Sequence, residues 1–385
     1  MNPGRAFIDS QVWRLRRRLL AAPAVAPKEL AAAKAGPVVV AGLFRTASGI
    51  GESARSCADA LDDAGIAHLC VDLSDAFNQV DMEADRPLSA MPAARTGTLI
   101  LHVNAPEVAP ALHVLKHYGA KTWRIAGCWV WELETAPQSW ARAARALSEI
   151  WAPSTFCHDA FRNLTTRPVK LVPYRIKPPE GLAQAGAHDG VVVLTMADGR
   201  SSLARKNVAG AIRVFLAALG GREDCRLIVK TRNLSEFSEE AAALRCAAQD
   251  HPRIEFMDVS LTPLDRWRLI ASCDILLSLH RSEGFGLPIA EALALGKAVV
   301  ATGWSAPTDF TPPEMLTPYT LEPVRDTNGP YDAFTKSRWA APDEEAAARL
   351  LFASATGRAQ GAPASVMLGA AYSDALDAAD PVKRS

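Results

Sequence analysis

Short apolar runs alternate with longer amphipathic stretches along most of this chain. Strand-length runs fall at Val38–Leu43, Ile66–Asp72, Thr98–Val103, Ile125–Trp129, Glu149–Trp151 and Val169–Pro173. A second series follows at Val191–Met196, Arg226–Lys230, Ile254–Phe256, Ile275–His280 and Ala298–Thr302. Between them apolar residues return at helical spacing, which predicts helices over Glu52–Ala64, Asn207–Leu219, Glu239–Gln249 and Leu264–Ser272. Strand and helix in alternation is the pattern of βαβ units and parallel sheets. Pro173, Pro178, Pro179, Gly181, Gly186 and Gly190 crowd one interval and read as a linker between two sheets. The expected organisation is an extension at 1–35, a Rossmann-like domain at 36–175, a second at 176–360 and a helical tail at 361–385. The expected architecture is α/β, with the two halves facing across a cleft. Ligands then belong outside the carboxyl ends of the strands.

Composition narrows the class. Hydrophobic residues make 49% of the 385 and charged residues 22%, which excludes global disorder. Lys+Arg and Asp+Glu both number 42, so no basic excess points to nucleic acid. No apolar run approaches the roughly 20 residues of a spanning helix. Seven cysteines, an odd number without a CxxC, suit buried thiols in a reducing cytosol. The N-terminal extension is basic, with Trp13, Leu15, Leu19 and Leu20 interleaved among arginines. It reads as a solvated helix, or as an interfacial helix over 13–20 that touches an anionic membrane from the cytoplasmic side.

The richest segment is Ser278-Leu-His280-Arg-Ser-Glu283-Gly284-Phe285-Gly286-Leu287-Pro288-Ile-Ala-Glu291, running on to Gly296-Lys297. A strand ends, a glycine-bearing polar loop follows, and Pro288 opens a helix that stops at Gly296. The free N–H groups at such a helix start suit phosphate or sugar oxygens. Glu291, one turn inside, can accept two hydrogen bonds from a vicinal diol such as a ribose, or can be a helix-start acid favoured by the dipole. After the strand at 191–196 come Arg200, Arg205 and Lys206, cations suited to a diphosphate leaving group or to a solvated loop.

Two segments of the first half also carry polar chemistry. Ser48-Gly49-Ile50-Gly51-Glu52-Ser53-Ala54 fits G-x-G-x-x-A, with Asp72 about 20 residues on, the fingerprint of a dinucleotide site. A polar stretch separates its first glycine from the strand, which suits a loop over a cleft better than a tight pyrophosphate turn. Farther on, His102 and Asn104 precede Trp129, Trp131, Glu132 and Glu134. These are sugar-stacking and hydroxyl-binding candidates, or a core histidine and core aromatics. His113 and His117 have i, i+4 spacing, but one helix face explains them better than a metal site.

Glu283 and Glu291 form E-x7-E inside EGFGLPIAEALALGKAVVA. This segment resembles the hallmark of glycosyltransferase family 4, retaining nucleotide-sugar transferases with the GT-B fold. HVNA, WxWELE and Trp151-Ala-Pro-Ser154 are similar to a polysaccharide-assembly subgroup of it. The resemblance implies transfer of a sugar from a UDP- or GDP-sugar to a glycan or lipid-linked hydroxyl, with retention. It implies that Glu291 holds the donor ribose, and that Glu283 with the amides of Gly284, Phe285, Gly286 and Leu287 contacts donor sugar and diphosphate. Arg200 and Lys206 match the family's Arg/Lys pair, with Arg205 adjacent. Ser48, Gly49 and Gly51 match its N-terminal glycine loop near diphosphate and acceptor, while His102, Asn104, Trp131 and Glu132 are acceptor-side candidates. Gly303–Asp309 takes the place of a Gly-rich loop and departs from its two-glycine form. No Asp-x-Asp motif ends a strand suitably, so no metal or other cofactor is expected beyond the nucleotide sugar itself. The rival readings are an NAD-dependent oxidoreductase built on Gly49 and Gly51, and a non-catalytic sugar-nucleotide-binding scaffold.

Overall fold

The computed structural model describes residues 36–116, 123–182, 189–327, 329–357 and 375–376. The basic extension, His117 and most of the helical tail lie outside the described residues. The chain divides into two compact units, one of residues 1–131, 135–175 and 368–385, the other of 132–134 and 176–367.

The first unit is built on a six-stranded parallel sheet in the order β2-β1-β3-β4-β5-β6. Its strands are β1 (Val38–Gly42), β2 (His68–Asp72), β3 (Gly97–His102), β4 (Trp123–Cys128), β5 (Glu149–Ala152) and β6 (Val169–Leu171). Near-continuous apolar runs such as Val38-Val-Val-Ala form strands here because helices cover a parallel sheet on both faces. The helix Gly49–Asp63 buries Ala54, Cys57, Ala58 and Leu61 against Val40, Ile100 and Ala126. Order reverses between β1 and β3, the place where a doubly wound sheet opens a crevice at its strand ends.

The second unit repeats the theme in the order β12-β11-β10-β7-β8-β9. Its strands are β7 (Val191–Asp198), β8 (Cys225–Arg232), β9 (Ile254–Asp258), β10 (Ile275–Ser278), β11 (Ala298–Thr302) and β12 (Leu316–Thr317). All pair in parallel, and this is the dinucleotide-fold order 3-2-1-4-5-6 read backwards. The switch point lies between β7 and β10. Val193, Leu227, Val229, Ile275, Leu277 and Val300 meet Ile212 and Phe215 of the Val208–Leu219 helix in one core.

Three local outcomes differ from the sequence expectations. The stretch Arg338–Pro342, for which no strand is predicted above, is a strand, β14, antiparallel to β13 (Tyr319–Pro323), and a helix starts at Glu344, capped by Asp343. Trp339 decides this, because alternation along a strand puts its indole in a fully buried place. Second, β7 and β8 run two residues past the apolar runs, so that Asp198 and Arg232 still lie in register. Third, β10 stops at Ser278, two residues early, and leaves His280 in the loop. All seven cysteines are free thiols, and only Cys246 is exposed. Among the described residues no helix is long and apolar enough to cross a membrane.

Candidate active site

The carboxyl ends of β7 and β10 bring the second unit's charged residues together. After β7 a 3-10 turn (Gly199–Ser201) leads into a single helical turn, Leu203–Lys206, and Asn207 in left-handed conformation starts the next helix. That short turn aims Arg205 and Lys206 at the loop after β10. Lys206 Nζ donates to Glu283 Oε1 at 2.5 Å, and Arg205 Nη1 lies 3.2 Å from Glu283 Oε2. Arg205 is held further by the carbonyls of Ser282 and Ser201, at 2.7 and 3.0 Å, with the Tyr331 ring 5.8 Å from its guanidinium carbon. A buried guanidinium and a half-buried ammonium thus share one carboxylate.

The electrostatics follow from that count. Burial pushes the Glu283 carboxyl upward, but Lys206, Arg205 and His280 together outweigh it and hold it down at about 2. Burial pulls the Lys206 ammonium below its ordinary range; Glu283 opposes the shift and Arg205 reinforces it. Burial also works against the Arg205 charge, yet Glu283, Tyr331 and Glu132 keep that guanidinium firmly protonated. His280 is fully buried and its burial lowers its pKa. Its Nδ1 lies 3.1 Å from Ser278 O and 3.2 Å from Ser278 Oγ, and its Nε2 lies 3.2 Å from Trp304 O.

Gly286 sits at φ 95°, directly before the helix Leu287–Ala294. A left-handed residue there lets the chain turn from the loop into the helix, with Pro288 in its first turn. The N-terminus so formed borders a recess lined by Met196, Lys206, Ser278, Glu283, Gly286 and Pro288. Glu291 lies one turn inside the helix and is 1% exposed. Sequence reasoning did not foresee its partner: Arg266 grips both Glu291 oxygens, Nη2 to Oε1 at 2.7 Å and Nε to Oε2 at 3.1 Å. Arg266 lies on the Pro263–Ala271 helix, and no motif marks it.

Arg200 goes elsewhere. It forms a forked pair with Glu236 at the surface, Nε to Oε2 at 2.9 Å and Nη2 to Oε1 at 2.5 Å. Asp198 accepts the Arg200 backbone N–H and binds the Arg232 guanidinium, so the turn that carries Arg200 is anchored. The structure therefore joins Arg205, not Arg200, with Lys206 on Glu283. The cause is the direction of the single turn at 203–206.

In the first unit, Gly49 and Gly51 lie within the first turn of a helix rather than in an open loop, and Ser48 Oγ caps it by accepting from Gly51 N at 3.2 Å. A Cβ on Gly51 would lie 2.5 Å from Thr46 O and 2.7 Å from Leu43 O, so packing alone requires this glycine. The preceding loop is pinned: buried Arg55 donates to the carbonyls of Phe44 and Thr46, both at 3.0 Å. Asp72 Oδ1 accepts from Phe44 N at 3.0 Å and from Ser74 Oγ at 2.6 Å. The carboxylate that a ribose would need in a dinucleotide site is thus engaged in holding the loop. His102 Nδ1 lies 2.7 Å from Ser53 Oγ, its Nε2 is buried without a partner, and burial lowers its pKa to about 3. Asn104 Oδ1 accepts from Val130 N at 2.9 Å. Trp129 and Trp131 stack edge-on against Trp140, with Trp129 also against Phe161, and both rings are buried as core rather than exposed as a platform. Glu132, counted with the second unit, accepts from Tyr331 Oη at 2.7 Å.

Among the described residues no group of three His, Cys, Asp or Glu side chains could hold a metal ion. Residues 191–318, the span from β7 to just past β12, match the family described as glycosyl transferases group 1. No curated protein sequence is matched. Among solved structures, trehalose-6-phosphate synthase OtsA is 13% identical with a TM-score of 0.58, covering 90% of this chain and 99% of that one. Anabaena Alr3699/HepE, in complex with UDP and glucose, is 15% identical with a TM-score of 0.55, covering 89% and 99%. The chain spans only about half the length of two larger proteins it also matches, 54% of S. aureus TarM and 55% of the pneumococcal O-GlcNAc transferase GtfA. The chain therefore has the GT-B fold, and its second sheet carries the glycosyl transferases group 1 segment.

Proposed function

We propose that this protein is a retaining glycosyltransferase. It moves a sugar from a nucleoside-diphosphate donor to a hydroxyl of a glycan or lipid-linked acceptor in polysaccharide assembly. One observation carries the reading: Lys206 and Arg205 converge on Glu283 at the β7/β10 switch point, beside the N-terminus of the Leu287–Ala294 helix. The chemical problem is a departing diphosphate and an oxocarbenium-like sugar. Lys206, Arg205 and the helix amides offer fixed positive charge where the leaving group develops negative charge, without reorganisation at the moment of reaction. Glu283, ionised throughout the neutral range, faces the developing positive charge of the sugar. Fixed cations take the part that a divalent metal plays elsewhere, so activity in the presence of a chelator is expected. The capture of UDP and glucose by HepE puts UDP first among the donors to try.

Glu291 is the ribose ligand on this reading, with Arg266 holding its carboxylate in place. Calorimetry with UDP, GDP, ADP and NAD on the wild type and on Glu291→Ala tests it. Loss of a charge-assisted pair of hydrogen bonds costs about 1.5–3 kcal/mol, roughly a 10- to 150-fold loss of affinity for one nucleoside diphosphate. Unchanged affinity in a folded Glu291→Ala protein would remove the assignment, and binding of NAD alone would replace it with an oxidoreductase. A peripheral membrane role for residues 13–20 is part of the proposal, and deletion of 1–35 should then lower binding to anionic liposomes.

A further inference from the structure

Two serines beside the charged cluster hold backbone conformations that residues with a side chain rarely adopt. Ser202 has φ 67° and ψ 106°, and Ser305 has φ 65° and ψ −154°, a region open essentially to glycine alone. Both are buried. They are far apart in sequence, yet each does the same thing to one member of the cluster. Ser305 Oγ accepts the main-chain N–H of Glu283 at 2.8 Å. Ser202 Oγ accepts the main-chain N–H of Arg205 at 3.0 Å.

The supports behind them are matched. Ser202 Oγ donates to Asp326 Oδ1 at 2.6 Å, which fixes the direction of its hydroxyl. The other Asp326 oxygen accepts from Tyr331 N at 3.0 Å, and the Tyr331 ring lies against the Arg205 guanidinium. On the opposite side, Ala306 N donates to Glu283 O at 3.3 Å, so the turn that holds Ser305 clasps Glu283 at both its N–H and its carbonyl. Glycine in either place would ease the backbone but offer no hydroxyl. A strained residue is kept where its side chain supplies something the relaxed one lacks.

We propose that Ser202 and Ser305 are positioning residues for sugar transfer, setting the Arg205–Lys206 turn and the Glu283 loop so that both cations and the carboxylate meet the donor at once. The inference rests on the transferase reading above. Glycine and alanine variants separate hydroxyl from backbone. Ser305→Ala removes the hydroxyl and keeps the strain, whereas Ser305→Gly removes both. Turnover is followed as nucleoside diphosphate released from UDP-glucose, UDP-N-acetylglucosamine and GDP-mannose, together with Kd for UDP and GDP and amide exchange at Glu283.

Both variants should lose roughly tenfold to a hundredfold in kcat, the scale on which a displacement of about an ångström costs rate. Kd should hold, the Glu283 amide should lose protection, and the glycine variant should melt above the alanine one. Wild-type kcat in Ser305→Gly would overturn the proposal, because the conformation alone would then suffice. If the Ser305 variants do not fold, Ser202→Gly and Ser202→Ala make the same comparison on Arg205. A wild type that neither binds nor releases UDP or GDP fails the transferase reading and takes the proposal with it. A wild type that turns over while the serine variants match it fails the positioning role alone.

Discussion

Lys206 Nζ and Glu283 Oε1 stand 2.5 Å apart although 77 positions of sequence separate the two residues. The pair ties the turn after β7 to the loop after β10, so forming the site and closing the switch point of the second sheet are one event. Its carboxylate is depressed from an ordinary 4.5 to about 2. A group with a lowered folded pKa stabilises the fold above its unfolded value and loses that contribution as pH falls toward the folded one. Stability should therefore drop between about pH 4.5 and 2, by an amount of the order of 3 kcal/mol from this group. Denaturant melts across that range should show a shallower fall in Glu283→Gln than in the wild type. Parallel curves would mean that Glu283 is not held as described.

The two arginines near Lys206 should separate cleanly. Arg200 and Glu236 are about half exposed, and such a pair contributes about 0–1 kcal/mol. Arg205 is buried, and its loss leaves Glu283 with one partner, at a cost of about 3–5 kcal/mol. Thermal melts of Arg200→Ala and Arg205→Ala should differ accordingly. If Arg200 swings from Glu236 to the diphosphate, Arg200→Ala will also weaken turnover at little cost in stability, and steady-state kinetics on the same two proteins would reveal it.

Gly51 tests the dinucleotide reading from the packing side. A methyl group there meets two carbonyl oxygens inside 3 Å. Overpacking of that kind costs about 1–3 kcal/mol. Gly51→Ala should thus lower the melting temperature by several degrees in the absence of any nucleotide. An unaltered midpoint would show that packing does not require the glycine.

His102 should make the first unit acid-sensitive. Its pKa falls from 6.5 to about 3 because burial disfavours the charged ring. Between those values the unfolded chain binds a proton that the folded one refuses, so stability is present above 6.5 and is lost as pH falls toward 3. The slope due to this one group is about 1.4 kcal/mol per pH unit. His102→Gln should flatten the stability curve in that window. Retention of the full slope would assign the acid sensitivity to other groups.

Most strands were legible because parallel strands covered on both faces are apolar runs, and Val38-Val-Val or Ile275-Leu-Leu can be little else. The sequence missed β14, where one tryptophan and two alanines leave the period ambiguous until the partner strand is present. The helix over 49–63 began three residues before the expected Glu52, because Ser48 caps it and the glycines fit inside its first turn.

At the site, local chemistry was readable and partnership was not. By itself the sequence determined the E-x7-E spacing, the glycine and proline that open the Leu287–Ala294 helix, and the presence of cations after β7. These depend on neighbours within one turn, whose geometry the chain dictates locally. Only the tertiary structure decided that Arg205 rather than Arg200 joins Lys206 on Glu283, that Arg266 holds Glu291, and that Ser202 and Ser305 bear strain beside them. The Arg205–Glu283 and Ser305–Glu283 contacts join segments brought together by the order of strands in a sheet. Strand order is fixed by burial of the whole core, which no short window of sequence contains.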